Sequence, residues 1–249
     1  MLTAPAPRGP RHHLVRCAGG TADVWWHLAQ GPATPGRGRR LLAHALRMTY
    51  GAPARDAVLV RDPWGRPALL SGRGLPRLHL SATHCGHLTV AVVAERFPVG
   101  IDAEALDGPP SPTLIRYALT ARERADLAGL PEEERVRAFQ HMWTAKEAMA
   151  KGLGWPLLRA LVDVEVALRP RLRLARLGSV PCPRGWELRP LRLAELPGPD
   201  AAVTVTLAAR LPVVPAARAR TVPVARRPLA FERGAWTPEV GAGTGGAFG

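Results

Sequence analysis

The sequence predicts an α+β fold, and three observations carry that prediction. Some segments repeat apolar residues at helical spacing. Others are short β-branched runs that read as mainly antiparallel strands. The two kinds fall in successive blocks along the chain. With 249 residues, 47% of them hydrophobic, the chain can fill the core of one large domain or two small ones.

Residues 1–12 read as a flexible leader, rich in proline and without the apolar centre of a signal peptide. From Arg39 to Tyr50, Leu41, Leu42, Ala45, Leu46 and Met48 recur at the period of a helix. Asp62-Pro63-Trp64-Gly65-Arg66-Pro67 is turn-rich. Leu78–Ser81, Leu88–Ala94 and Val99–Glu104 read as strands. The short link Glu95-Arg96-Phe97-Pro98 predicts that the last two pair as a hairpin.

Thr120-Ala121-Arg122-Glu123 is a capping box, opening a helix that stops near Gly129. Pro131 begins the next helix, with Glu132, Glu133 and Glu134 in the first turn, where the helix dipole favours acids. It runs to about Lys151, with Gly152 and Gly154 ending it. Val162–Leu168 and Val203–Ala208 read as strands. Residues 211–249, rich in proline, arginine and glycine, read as a mostly disordered tail.

The formal charge of +14 attracts anions: nucleic acid, phosphorylated cofactors or an acidic protein partner. A compositional bias toward arginine and alanine accounts for the same charge without any partner. Cys17, Cys85 and Cys182 are far apart and show no metal-ligand spacing, which fits reduced thiols in a cytoplasmic protein. No apolar run reaches the roughly 18 residues of a membrane span.

Only two of the 34 basic residues are lysines, and both fall in Trp143-Thr144-Ala145-Lys146-Glu147-Ala148-Met149-Ala150-Lys151. Lysine is a compact point charge that suits a phosphate, whereas arginine is a planar fork. On a helix, Trp143, Glu147 and Lys151 share one face, and Lys146 is rotated about 100° from Glu147. In Gly100-Ile101-Asp102-Ala103-Glu104, a strand would point both acids to the same side. Two like charges side by side are costly unless a cation lies between them, and a hard divalent ion such as magnesium takes oxygen ligands. Each feature alone also fits a solvated strand end or a surface ion pair. His84, between two strands in Thr83-His84-Cys85-Gly86, and Arg66, in its tight loop, are candidate anion contacts.

Together these segments resemble the paired signature of the 4′-phosphopantetheinyl transferases. The likeness is to the larger, pseudo-dimeric type that serves nonribosomal peptide, polyketide and siderophore synthases. Gly65-Arg66-Pro67 and Thr83-His84-Cys85-Gly86 resemble that type's upstream motifs, in the expected order, and coverage runs from about Arg39 to Ala208.

The resemblance implies two similar α+β halves, here 13–100 and 101–210, with the active site in the cleft between them. It implies Asp102, Glu104 and Glu147 as magnesium ligands, and Lys151 and His84 as contacts to the coenzyme A phosphates, with Thr83 beside them. Arg66 would lie near the 3′-phosphate and adenine, and Arg40 and Arg47 are weaker candidates for the same role. The implied reaction moves the 4′-phosphopantetheine group from coenzyme A to a serine of an acyl or peptidyl carrier protein. Glu147 deprotonates that serine, directly or through a metal-bound water, and Lys151 and His84 stabilise the phosphoryl oxygens. A monomer is expected, with neither nucleic acid nor a membrane as partner. Two other readings compete: a basic nucleic-acid-binding protein, and a family member that binds carriers without modifying them.

Overall fold

The computed structural model describes residues 9–17, 20–29, 34–63, 65–72, 74–105, 108–181, 185–193 and 203–210. The expected tail, 211–249, and positions 1–8 of the expected leader lie outside them, as does Cys182. Positions 11 and 12 of that leader are not loose, since β1 (Arg11–Cys17) begins there.

The remaining elements follow in order: β2 (Gly20–Leu28), α1 (Arg37–Tyr50), a 3-10 turn (Ala52–Ala54), β3 (Val58–Arg61), β4 (Pro67–Ser71), β5 (Leu78–Cys85), β6 (Leu88–Glu95), β7 (Val99–Glu104), α2 (Pro112–Ala118), α3 (Ala121–Ala128), α4 (Glu132–Leu153), α5 (Leu157–Asp163), β8 (Val164–Ala167), β9 (Arg173–Leu177), β10 (Val180–Pro181), β11 (Trp186–Leu191) and β12 (Thr204–Arg210). This is the α+β class predicted from the sequence. All the strand pairings are antiparallel.

Two sheets, ordered β1-β2-β6-β5 and β11-β12-β7, pack face to face between two helices. The two-residue alternation of each strand divides its side chains between layers. Val90, Val92 and Ala94 of β6 point inward and meet Ile101, Ala103, Val205 and Leu207 of the second sheet. Ala91 and Val93 point the other way, onto Leu41, Leu42, Ala45 and Leu46 of α1. On the outer face of the second sheet, Ala208 and Leu188 join the core built around Phe139, Met142, Ala145 and Met149 of α4. A strand covered on both faces has no polar side, which explains the unbroken apolar run of β6.

The expected hairpin between β6 and β7 does not form. β6 pairs with β2 and β5, and β7 pairs with β12. The link after Glu95, with Arg96 at φ 68°, carries the chain from one sheet to the sheet stacked on it. The hairpin partner of β6 is β5, joined through Gly86 and His87 with Gly86 in the left-handed region (φ 53°).

The capping box at Thr120 is present in full, and α3 stops at Gly129 as expected. Helix α4 continues through Gly152 and ends at Gly154, which takes the left-handed conformation at the cap. Gly152 is helical and lies against Gly100 of β7. A side chain on Gly100 would run into Ala148 O and Gly152 N, so helix and strand touch backbone to backbone there. Among the described residues no helix is long and apolar enough to cross a membrane.

Candidate active site

The ladder between β7 and β12 fixes which side chains face α4. Asp102 is opposite Thr206 and Glu104 is opposite Thr204, and directly opposed residues share a sheet face. Ile101 and Ala103 point into the core between the sheets, so Gly100, Asp102 and Glu104 point to α4. The shared face predicted for the two acids is therefore present, and α4 lays Trp143, Glu147 and Lys151 against it.

One carboxylate oxygen from each of Asp102, Glu104 and Glu147 lies within 4.8 Å of the others. Asp102 is 1% exposed. Its Oδ1 accepts hydrogen bonds from Thr83 Oγ1 at 3.0 Å and Lys151 Nζ at 2.5 Å. Its Oδ2 is buried and has no hydrogen-bond partner. Lys151 is also 3.6 Å from Glu147 and 3.4 Å from Thr83 Oγ1. Glu104 accepts a hydrogen bond from Trp143 Nε1 at 3.4 Å.

Burial and the Asp102 charge push both glutamates up, Glu104 above the usual carboxylate range and Glu147 to about 7. Lys151 opposes both shifts. Three carboxylates facing one ammonium leave an excess of negative charge, and an orphaned buried oxygen adds to the imbalance. An oxygen-only donor set with a spare buried ligand atom is what a hard divalent cation requires. The residues present fit magnesium.

These groups line a cleft of about 920 Å³. Thr83 and His84 both line it, but His84 is on strand β5 rather than in a loop, because β5 runs past the expected end at Ser81 as far as Cys85. Alternation turns Thr83 toward Asp102 and gives His84 the face of Ala82, which packs on α1. Arg66 lines the cleft from the β3–β4 turn. Its guanidinium is held by Asp62 (Nε–Oδ2 2.6 Å) and lies over Gly154, where the missing Cβ leaves room.

Arg40 and Arg47 are not among the residues that line the cleft; Arg37 and Arg39 are. The cleft opens at the first turn of α1. Arg47 is in the last turn, ten residues and about 15 Å farther along the axis. Arg40 is turned back onto Pro35 O and Thr34 Oγ1, at 3.0 and 2.7 Å. The glycine-flanked run Gly36-Arg37-Gly38-Arg39 was the available signal, since Gly38 lets the helix approach Ala82 of β5 closely.

Lys146 is not in the site. It is fully buried, with Nζ 2.7 Å from Glu123 and bonded to Ala118 O and Leu161 O, both at 2.9 Å. Burial pushes its pKa down, and Glu123 pulls it back.

The fold is α+β, and its cleft joins a carboxylate–lysine cluster to several arginines. Comparison with known proteins shows what the chain is similar to. Residues 98–199 match the family model of the 4′-phosphopantetheinyl transferase superfamily. The chain is 30% identical over 117 residues to the 4′-phosphopantetheinyl transferase psf-1 of Bacillus pumilus, covering 47% of this chain and 48% of that protein. It is 29% identical over 153 residues to HetI of a Nostoc species (61% and 62%), and 26% over 121 residues to Sfp of Bacillus subtilis (47% and 52%). These alignments span roughly half to three fifths of the relatives' lengths. The resemblance read from the sequence is thereby shown.

Proposed function

We propose that the protein transfers the 4′-phosphopantetheine group of coenzyme A to a serine hydroxyl of an acyl or peptidyl carrier protein, releasing 3′,5′-ADP. The observation that carries this reading is the convergence of Asp102, Glu104, Glu147 and Lys151 in one basic cleft. Relatives named for this activity support it.

Asp102, through its unpartnered Oδ2, would hold magnesium together with Glu104 and Glu147. Bound there, magnesium would neutralise charge building on the pyrophosphate. Lys151 and His84 supply positive or hydrogen-bonding groups toward the phosphoryl oxygens. Arg37, Arg39 and Arg66 offer guanidinium groups to the remaining phosphate and the adenine. The serine oxygen bonds to the β-phosphorus, the bond to the bridging oxygen breaks, and that electron pair leaves with 3′,5′-ADP. Glu147 takes the serine proton, directly or through a water. The basic cleft rim suits carriers with acidic surfaces. The reading of 13–100 and 101–210 as duplicated halves is supported by their shared plan, a long helix across an antiparallel sheet.

The test is mass spectrometry of an apo carrier domain incubated with the protein, coenzyme A and magnesium. The expected result is a mass gain of one phosphopantetheine group, lost when a chelator is in excess. Capture of the carrier with no mass change would support the non-catalytic reading. Neither capture nor modification, with tight binding to nucleic acid, would replace this function altogether.

A further inference from the structure

We infer that Thr144 and Thr206 form a latch that sets the axial register of α4 on the second sheet and so brings Glu147 to Asp102 and Glu104. The inference rests on the reading that these three carboxylates hold a divalent cation.

Thr144 and Thr206 are both fully buried, with hydroxyls 2.9 Å apart. Thr144 also donates to Gln140 O at 2.8 Å, one turn back along α4. A threonine hydroxyl has a single proton, so with Thr144's committed to Gln140 the proton between the two threonines belongs to Thr206. A directional chain therefore runs from β12 through Thr144 into the helix backbone. One step away on each element, Thr204 Oγ1 donates to Gln140 Oε1 at 3.4 Å.

The spacing of these contacts matches both elements. Four helical residues advance about 6 Å and two strand residues advance about 6.6 Å, so one helical turn is matched to one strand repeat. On β7, Glu104 meets Trp143 and, four strand residues away, Gly100 touches Ala148 and Gly152, while the long side chain of Lys151 reaches Asp102 between them. Thr206 and Thr204 are the cross-strand partners of Asp102 and Glu104. The hydroxyls that grip the helix thus sit directly beside the strand acids.

Part of the apolar seam, Ala145, Ala148 and Ala208, is made of small, similar side chains, which fix the register less sharply than interlocking large ones would. The hydroxyls fix it more sharply, because a buried hydroxyl without a partner is penalised. A slip of one turn would carry Glu147 about 5.4 Å from the other two carboxylates.

The experiment titrates the full chain with Mn²⁺, read by electron paramagnetic resonance, well below the melting temperature of every variant. The variants are T144V and T206V, each paired with its serine counterpart, and T204V. Both valine variants should weaken Mn²⁺ affinity about ten- to a hundredfold, the range for groups that orient metal ligands. The serine variants should restore affinity, and T204V, which removes the longest bond, should fall between. Leu46→Ala, a core truncation under α1, should lower the melting temperature without moving Mn²⁺ affinity. Should the valine variants fail to fold, serine and T204V affinities out of that order would still overturn the latch. Unchanged affinity in the valine variants would overturn it while leaving the metal reading intact. Failure of the unmodified protein to bind Mn²⁺ would overturn both.

Discussion

Asp102→Ala is expected to abolish phosphopantetheine transfer while leaving the circular dichroism spectrum unchanged. One carboxylate performs two tasks. Its Oδ1 anchors Lys151 and Thr83, and its buried, unpartnered Oδ2 would be a ligand to the proposed cation. Losing it removes a cation site and frees the lysine together. The loss of rate should be at least about a hundredfold, the scale on which one preorganised electrostatic group acts. Stability should behave differently. Alanine removes a buried, partly unsatisfied charge, and Lys151, about a quarter exposed, can turn to solvent. The melting temperature should therefore hold or rise, as expected where a site is kept for function at the expense of stability. Normal turnover by this variant, or by the unmodified protein in excess chelator, would refute the assignment.

The two lysines, five residues apart, should fail in opposite ways. Lys146→Ala should destabilise the fold by about 3–5 kcal/mol, because Glu123 would remain buried and charged without its partner. In a domain of this size that is a fall of roughly 10 °C in melting temperature. Glu123 also caps Thr120 N and accepts from Val166 N, so the damage should spread to α3 and β8. Lys151→Ala should melt near the unmodified temperature but raise the Michaelis constant for coenzyme A. Thermal melts and steady-state kinetics on both variants check this. Equal melting temperatures would show that the buried pair contributes little.

The scarcity of lysine drew attention to the right helix, but not to the reason for each residue. From sequence both ammonium groups fitted a phosphate. Helical rotation separated their faces, yet only the packing of α2, α3 and α5 shows that one face is sealed. Asp102 and Glu104 were legible because a strand's two-residue alternation is invariant, and the capping box at Thr120 because it is wholly local. The hairpin expectation failed because link length says nothing about which sheet receives the next strand. The run in β6 is apolar on both faces, a mark of a strand between layers. β1 and β2 escaped notice because His12, His13, Asp23 and His27 interrupt their apolar pattern. Arg40 and Arg47 had no sharp motif to fix them; Arg47 is too far along the helix and Arg40 is turned onto Thr34 and Pro35, so neither is among the residues that line the cleft.

Asp102 meets Thr83 across a seam between two separate sheets, and on the same seam Ser81 Oγ accepts the backbone N–H of Ile101 at 3.2 Å. The three carboxylates come from β7 and α4, whereas Thr83, His84, Arg37, Arg39 and Arg66 line the cleft from the other side of the seam. A nucleotide that spans the cleft would touch both sides and so would bind the joined state most tightly. By mass action its binding free energy would add to the cohesion of the two sheets. The chain would then be most resistant to opening, and to proteolysis along that seam, when its ligands are abundant.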